Sequence, residues 1–235
     1  MKRKTKLLLV YLNSLSILIL SLFCPALLAY ENSIETLKRI KVAKVYLDHG
    51  QPDKAKAELE IALQDDPKSP DVLNNLGGIY LRIAQNQKSA SNRNNDLEKA
   101  RTYFTQALDV DPDFSSAWNG LADTYYLSGQ TQQAIAYYKK AIALSPKRAY
   151  ELQTNLANAQ RDLGLKQEAE ASYQKAIESN PLYAPAHNGY AELLLNKHEI
   201  NQAYNEILEA IRLKPNYATA YYHLGLGKNK REKWW

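Results

Sequence analysis

The sequence predicts an all-α protein, an α-solenoid made of helix–turn–helix hairpins that repeat along the chain. The clearest hairpin occupies residues 115–146. Its apolar residues form two successive runs, the first at i, i+3, i+4 and i+7 and the second at i, i+4, i+7 and i+8, and both spacings follow one face of a helix. Gly129 separates the runs as a turn would, and Pro146 ends the second, because proline disrupts a helix interior. The runs are Trp118, Leu121, Ala122 and Tyr125, then Ala134, Tyr138, Ala141 and Ile142.

A second observation is that the hairpin recurs with a nearly constant period. Prolines at the hairpin ends are 45, 34, 35 and 34 residues apart, and alanines stand five and twelve residues before each of them. A period of roughly 20–50 residues is typical of solenoids, in which each unit buries its apolar face against its neighbours. The prolines are Pro67, Pro112, Pro146, Pro181 and Pro215.

These residues resemble the tetratricopeptide repeat, whose pattern is W-x2-L-G-x2-Y, then A-x3-F, then A and P. Trp118, Leu121 and Tyr125 match it, with Ala122 in place of glycine. The preceding repeat matches through Leu73, Leu76, Gly77 and Tyr80, then Ala100, Phe104, Ala107 and Pro112. The resemblance covers about residues 36–227, as about five repeats and a partial sixth. It implies a right-handed solenoid that binds other proteins.

The first 29 residues have the composition of an export signal. Four basic residues precede an uncharged run at 7–23, and the small residue Ala29 stands before Tyr30. This order is typical of a secretory signal, but the run is also just long enough to span a bilayer. We therefore expect either a cleaved signal or a retained membrane anchor, and an exported or membrane-attached protein. Cys24 is the only cysteine, so the repeats carry no thiol.

The net charge of +5 comes from the ends of the chain. The leader holds four basic residues and no acidic one, and the tail at 228–235 is also basic, so the repeats themselves are slightly acidic. A nucleic-acid surface needs Lys and Arg clustered on the repeats. We therefore expect a protein or peptide partner, no nucleic acid, and contact with a membrane only through the N-terminal segment.

An insertion at 85–95 accounts for the 45-residue spacing between the first two prolines. Its only aliphatic residue is Ala90, so it cannot bury much surface. We expect a mobile loop between the two helices of the second repeat, either a tolerated insertion or a contact specific to a partner.

The sequence contains no residue pattern that is typical of a catalytic site. The histidines have neither the spacing of metal ligands nor a cysteine partner. His187 stands where Trp118 stands in its own repeat, which predicts a packing role. We therefore expect no metal, no cofactor and no enzyme activity. The histidines are His49, His187, His198 and His223.

The family resemblance implies that the first helix of each hairpin lines a concave groove. Polar residues recur on its fifth, sixth, ninth and twelfth positions, although Gly120 and Gly189 interrupt the row of asparagines. An asparagine both donates and accepts, so it can pair with a peptide backbone of any sequence. The expected partner-binding residues are Asn74, Asn75, Asn119, Asp123, Tyr126, Asn155, Asn158, Arg161, Asn188 and Glu192. We expect alanine there to weaken binding but not folding, and reversal of Arg161 to change partner choice more than stability.

Three alternatives to a peptide-binding scaffold stay open. They are an assembly factor for a membrane-associated complex, a self-associating structural protein, and a regulatory subunit of an enzyme supplied by another chain. Self-association is expected through the partial sixth repeat, where residues 218–227 form one helix without a partner. There Tyr221, Leu224, Trp234 and Trp235 are expected to leave an apolar surface.

Overall fold

The structure is a computed structural model that describes residues 25–145 and 149–232. The described chain forms eleven α-helices joined by short turns. Helices α1 to α10 pair as five successive hairpins, and α11 packs against α9 and α10. The helices are α1 (Pro25–Asp48), α2 (Pro52–Asp65), α3 (Pro70–Asn86), α4 (Ala90–Val110), α5 (Ser115–Leu127), α6 (Thr131–Leu144), α7 (Ala149–Asp162), α8 (Lys166–Ser179), α9 (Ala184–Asn196), α10 (Ile200–Leu213) and α11 (Ala218–Glu232). The predicted all-α solenoid is confirmed.

The recurrent alanines mark where the helices approach each other. The ten alanines that stand five and twelve residues before the hairpin-ending prolines are completely buried. A side chain that stops at Cβ lets neighbouring helix backbones come close together. Each second helix then ends with a backbone N–H that returns to the carbonyl of the alanine four residues earlier. The donors are Asp66, Asp111, Ser145, Asn180 and Lys214.

In four of the five hairpins the inner turn places one residue in the left-handed backbone region. Gly50, Gly129 and Gly164 have φ of 69°, 80° and 79°, where glycine has no steric penalty. His198 occupies the same place in the last hairpin with φ of 62°. A residue with a Cβ is strained there.

One polar contact repeats at the start of the first helices. A side chain at the fourth position approaches the carbonyl oxygen of the proline that ended the preceding hairpin. The predicted packing role of His187 is confirmed, because it is buried and makes this contact. The pairs are Trp118 Nε1 with Pro112 O at 2.8 Å, His187 Nε2 with Pro181 O at 2.9 Å, and Tyr221 Oη with Pro215 O at 3.1 Å.

The prediction of a mobile loop at 85–95 is wrong. Helix α3 continues to Asn86 and α4 begins at Ala90, so most of the inserted residues lengthen α4. The Ser89 side chain accepts a hydrogen bond from Asn92 N, which caps this extension. Arg93 Nη2 donates to Leu127 O at 2.8 Å, at the C-terminus of α5, where a positive charge is favourable. Local capping and this cross-repeat contact order the segment without apolar burial.

The C-terminal helix also differs from its prediction. It runs to Glu232, through five residues of the predicted tail. Tyr221 and Tyr222 are exposed, but Leu224 packs against the core cluster that α7, α8, α9 and α10 form. Trp234 and Trp235 lie outside the described residues, so association through this end stays a prediction.

The predicted leader lies mostly outside the described residues. Its last part, from Pro25 to Ala29, already belongs to α1. Among the helices of the described chain, none is sufficiently long and apolar to cross a membrane.

Candidate functional site

The predicted partner-binding residues lie on the first helices of four hairpins, α3, α5, α7 and α9. Contacts between neighbouring repeats bring them to one surface, which we call the groove. Asn155 Nδ2 donates to Asn119 Oδ1 at 3.3 Å, which joins α7 to α5. Helix α11 extends the row, because His223 Nδ1 lies 3.0 Å from Asn188 Oδ1.

Two cavities open along the groove. The first has a volume of about 350 Å³ and includes Asn74, Asn75, Gly78, Phe104, Asn119 and Asp123 in its lining. The second has a volume of about 230 Å³ and includes Asp123, Tyr126, Tyr138, Asn155 and Asn158. Seven of the ten predicted residues therefore line a cavity, and Asp123 lines both.

Asp123, which lines both cavities, is ionisable. Tyr138 Oη donates to Asp123 Oδ1 at 2.6 Å, and Asn119 Nδ2 donates to Asp123 Oδ2 at 3.2 Å. Burial raises the pKa of Asp123 to about 6, and the hydrogen bonds from Tyr138 and Asn119 only partly oppose that rise. The same burial, together with the negative charge of Asp123, raises the pKa of Tyr138. Near neutral pH this carboxylate is ionised but poorly solvated.

The two asparagines of the second repeat differ in their hydrogen bonds. Asn75 Nδ2 donates to Asp71 O at 2.7 Å, within its own helix. The Oδ1 atom of Asn74 is buried and has no hydrogen-bond partner within the described chain. A buried acceptor without a donor is costly, so Asn74 adds an unmet acceptor to the first cavity.

A cluster of charges occupies the other end of the groove. Arg161 Nη1 donates to Glu192 Oε2 at 2.7 Å, and Arg161 Nε donates to Asp162 Oδ1 at 2.9 Å. Tyr126 Oη donates to the Asp162 carboxylate. The Arg161 side chain is only 13% exposed, so the structure holds it in place. Because Arg161 already pairs with the carboxylates of Asp162 and Glu192, it has little capacity to bind a further anion.

The tyrosines of the second helices contribute to the groove, although the sequence pattern did not predict it. Tyr138 reaches Asp123, and Tyr173 Oη donates to Asn158 Oδ1 at 2.5 Å. Both tyrosines thus orient the ninth-position side chain of their own hairpin. In the second hairpin the corresponding aromatic is Phe104, which has no hydroxyl, and the ninth position is Gly78. The aromatic position of the repeat pattern is the signal that could have identified these pairs.

Packing explains why Gly120 and Gly189 interrupt the row of asparagines. A Cβ atom on Gly120 would lie 2.3 Å from the ring of Phe104, and one on Gly189 would lie 2.6 Å from the ring of Tyr173. The aromatic residue of one hairpin therefore packs against the first helix of the next hairpin. Only glycine fits at these two positions.

Several predicted binding residues are already engaged. Asn188 is 7% exposed and contacts His223, and Asn158 accepts the hydrogen bond of the fully buried Tyr173. Removing either amide leaves a buried partner unsatisfied, which destabilises a fold. We therefore expect substitutions at Asn158 and Asn188 to affect stability as well as binding.

Over residues 25–145 and 149–232 no group of three or more His, Cys, Asp or Glu side chains is arranged to hold a metal ion.

Comparison with known proteins settles the family. A model of the tetratricopeptide repeat matches residues 41–90 and 93–149, and a second tetratricopeptide repeat model matches residues 150–181. The chain belongs to the tetratricopeptide repeat family. Members of this family bind protein or peptide partners and are generally non-catalytic.

Individual relatives agree with this assignment. Tetratricopeptide repeat protein 37 of Xenopus laevis is 30% identical over 163 residues, which is 63% of this chain and 10% of that protein. The chain thus spans only a small part of that relative. The crystal structure of TTC0263, a thermophilic protein of this family from Thermus thermophilus, matches 82% of this chain and 98% of its own, with a TM-score of 0.68 and 18% identity. YrrB, a tetratricopeptide repeat protein with an unusual peptide-binding site, matches 82% and 93%, with a TM-score of 0.55 and 18% identity. Likeness at this level of identity establishes the fold.

Proposed function

We propose that this tetratricopeptide repeat protein is a non-catalytic scaffold that binds an extended segment of a partner polypeptide in the groove. The observation that carries the proposal is the pair of adjoining cavities, which are lined by side chains from successive hairpins and share Asp123. Neighbouring cavities suit alternate side chains of an extended peptide, and the amides between them suit its backbone. The peptide-binding site of the structural neighbour YrrB supports the same use of this fold.

A larger side chain in place of Gly78 would obstruct the first cavity. It lies on α3 in the cavity lining, and a Cβ atom placed on it meets nothing within 4 Å. Gly78→Leu therefore places a branched side chain in the cavity, beginning from a Cβ atom that clashes with nothing. Gly225 is a matched control, because it is also an exposed glycine within a helix, with nothing within 4 Å of an added Cβ.

The test begins with selection of peptides from a displayed library of random dodecamers on the purified full chain. Dissociation constants of the selected peptides are then measured for the parent protein and for the two variants. We expect Gly78→Leu to weaken binding at least tenfold and Gly225→Leu to leave it unchanged. Failure to select any peptide, or equal affinities in the parent and Gly78→Leu, would overturn the proposal.

We also propose that residues 1–29 direct export or attach the protein to a membrane, on the strength of the basic start and the uncharged run at 7–23. Cell fractionation and N-terminal sequencing test this. Removal of the leader from exported protein, or its retention in the membrane fraction, supports one of the two forms. An intact Met1 in the soluble cytoplasmic fraction contradicts both.

A further inference from the structure

Asp123 is an unusual residue to find at the junction of two cavities. Its carboxylate receives hydrogen bonds from Tyr138 and Asn119. A carboxylate has about four acceptor positions, so these two donors leave about half of them available. In the part of the chain that the structure describes, no Lys, Arg or His side chain forms an ion pair with Asp123. Only neutral hydrogen-bond donors therefore stabilise the negative charge of Asp123.

The surroundings contain unmet acceptors and no compensating cation. Apart from tyrosines, Asp123 is the one ionisable side chain in the linings of the two cavities. The buried Oδ1 atom of Asn74 in the first cavity also lacks a donor. Farther along the groove, Arg161 is already matched by two carboxylates, Asp162 and Glu192. The charged side chains of the groove are therefore Arg161 against three carboxylates, those of Asp123, Asp162 and Glu192, which leaves an excess of negative charge.

Resting on the proposed function, we infer that Asp123 receives a lysine or arginine side chain of the bound partner segment. A lysine ammonium has three donors and no acceptor, and an arginine guanidinium has five, so either supplies what the site lacks. The aromatic rings of Phe104, Tyr126 and Tyr138 in the cavity linings suit the alkyl stem of such a side chain and attract its charge. Charge complementarity in the groove thus selects a basic partner segment.

The shift in the pKa of Asp123 agrees with this assignment. Burial raises that pKa to about 6 even against the opposing hydrogen bonds from Tyr138 and Asn119, which means that these surroundings disfavour the ionised carboxylate. A bound cation relieves this cost, since an opposite charge nearby stabilises the ionised form.

The test uses the peptides selected on the full chain. We expect lysine or arginine to be enriched at one position of these peptides. Affinities are then measured for a lysine peptide and for its norleucine counterpart, on the parent protein and on Asp123→Asn. Norleucine keeps the alkyl stem without the ammonium group. We expect at least a tenfold preference for lysine in the parent and a preference below threefold in Asp123→Asn.

Asp113→Asn is the control, because Asp113 is an exposed aspartate that lines neither groove cavity nor the larger cavity between α2 and α4. It should keep the full preference for lysine. Peptides that are blocked by Gly78→Leu but lack a basic residue, or whose preference survives in Asp123→Asn, overturn this inference and leave the proposed function standing. If no peptide is selected, both fall together. A circular-dichroism melt of each variant confirms that the comparison is made between folded proteins.

Discussion

Arg161 Nη1 lies 2.7 Å from Glu192 Oε2 and so joins α7 to α9 across neighbouring repeats. The same guanidinium also contacts Asp162 and, at 3.2 Å, the hydroxyl of Tyr173. In a solenoid each repeat contacts only its neighbours, so contacts between repeats carry much of the cooperativity of folding. This interaction therefore has a structural role in a surface that we expected to serve binding alone.

Arg161→Ala should destabilise the protein. Truncation leaves Asp162 and Glu192 without their cation and also removes the packing of a long side chain, with an expected loss of about 1–2 kcal/mol in the free energy of unfolding. Urea denaturation monitored by circular dichroism measures this. Arg212→Ala is the control, because Arg212 pairs with Glu209 at 2.6 Å within α10 but is 64% exposed. Its substitution should leave the free energy of unfolding almost unchanged, because exposed ion pairs contribute little. Equal losses would show that the contact between repeats adds nothing.

Asp123→Asn should stabilise the protein at pH 7.5. An asparagine can still accept the hydrogen bond of Tyr138 and has no charge to desolvate. Because burial raises the folded-state pKa of Asp123 to about 6, above its unfolded value, the folded protein takes up a proton as the pH falls through 6 towards 4. Ionised Asp123 therefore lowers stability above about pH 6, by up to about 3 kcal/mol, and this cost disappears at acidic pH.

Chemical denaturation of both proteins at pH 7.5 and pH 4 checks this prediction. The gain from Asp123→Asn should be present at pH 7.5 and absent near pH 4. The titratable side chains that face Asp123 are Tyr138 from α6 and Tyr126 from α5, and neither titrates in this range. A gain that does not depend on pH would contradict the assigned cause.

Two glycines of the groove should respond oppositely to alanine. A Cβ atom on Gly120 would meet the Phe104 ring at 2.3 Å, whereas one on Gly78 meets nothing within 4 Å. Gly120→Ala should therefore destabilise the protein by about 1–3 kcal/mol through overpacking. Gly78→Ala should stabilise it by about 0.5–1 kcal/mol, because alanine loses less entropy in a helix. Thermal melts of both variants give the sign, and a shift in the same direction would contradict this explanation.

His198→Gly should stabilise the last hairpin. His198 has φ of 62° at the turn position where three other hairpins have glycine. Relief of the left-handed strain is worth about 1–2 kcal/mol, partly offset by the greater entropy of glycine in the unfolded chain, so we expect a net gain of about 0.5–1 kcal/mol. Urea denaturation measures it. The reverse change, Gly164→His, should destabilise by a similar amount, and a gain from both would rule out backbone strain as the cause.

The repeat architecture follows from the amino-acid sequence alone. As the pattern predicted, Gly129 forms a turn and His187 takes the packing place of Trp118, and the alanines that define the period are buried. These features follow from local rules, because helix periodicity, proline and glycine act within a few residues of where they stand. The helix at 85–95 was not predicted, because its polar composition hid the local cap at Ser89 and because its other anchor, the carbonyl of Leu127, is distant in sequence.

The candidate site in the groove could also be predicted only in part. The residue pattern, read through the family resemblance, placed Asn119, Asp123 and Arg161 on one face of successive first helices. It could not show that Tyr138 binds Asp123 or that Glu192 binds Arg161, because these contacts join residues 15 and 31 positions apart. The amino acids of each repeat therefore establish which side chains face the groove. Which of those side chains remain available to a partner depends on how the hairpins stack, because packing between repeats sets their distances and the burial that shifts the pKa of Asp123.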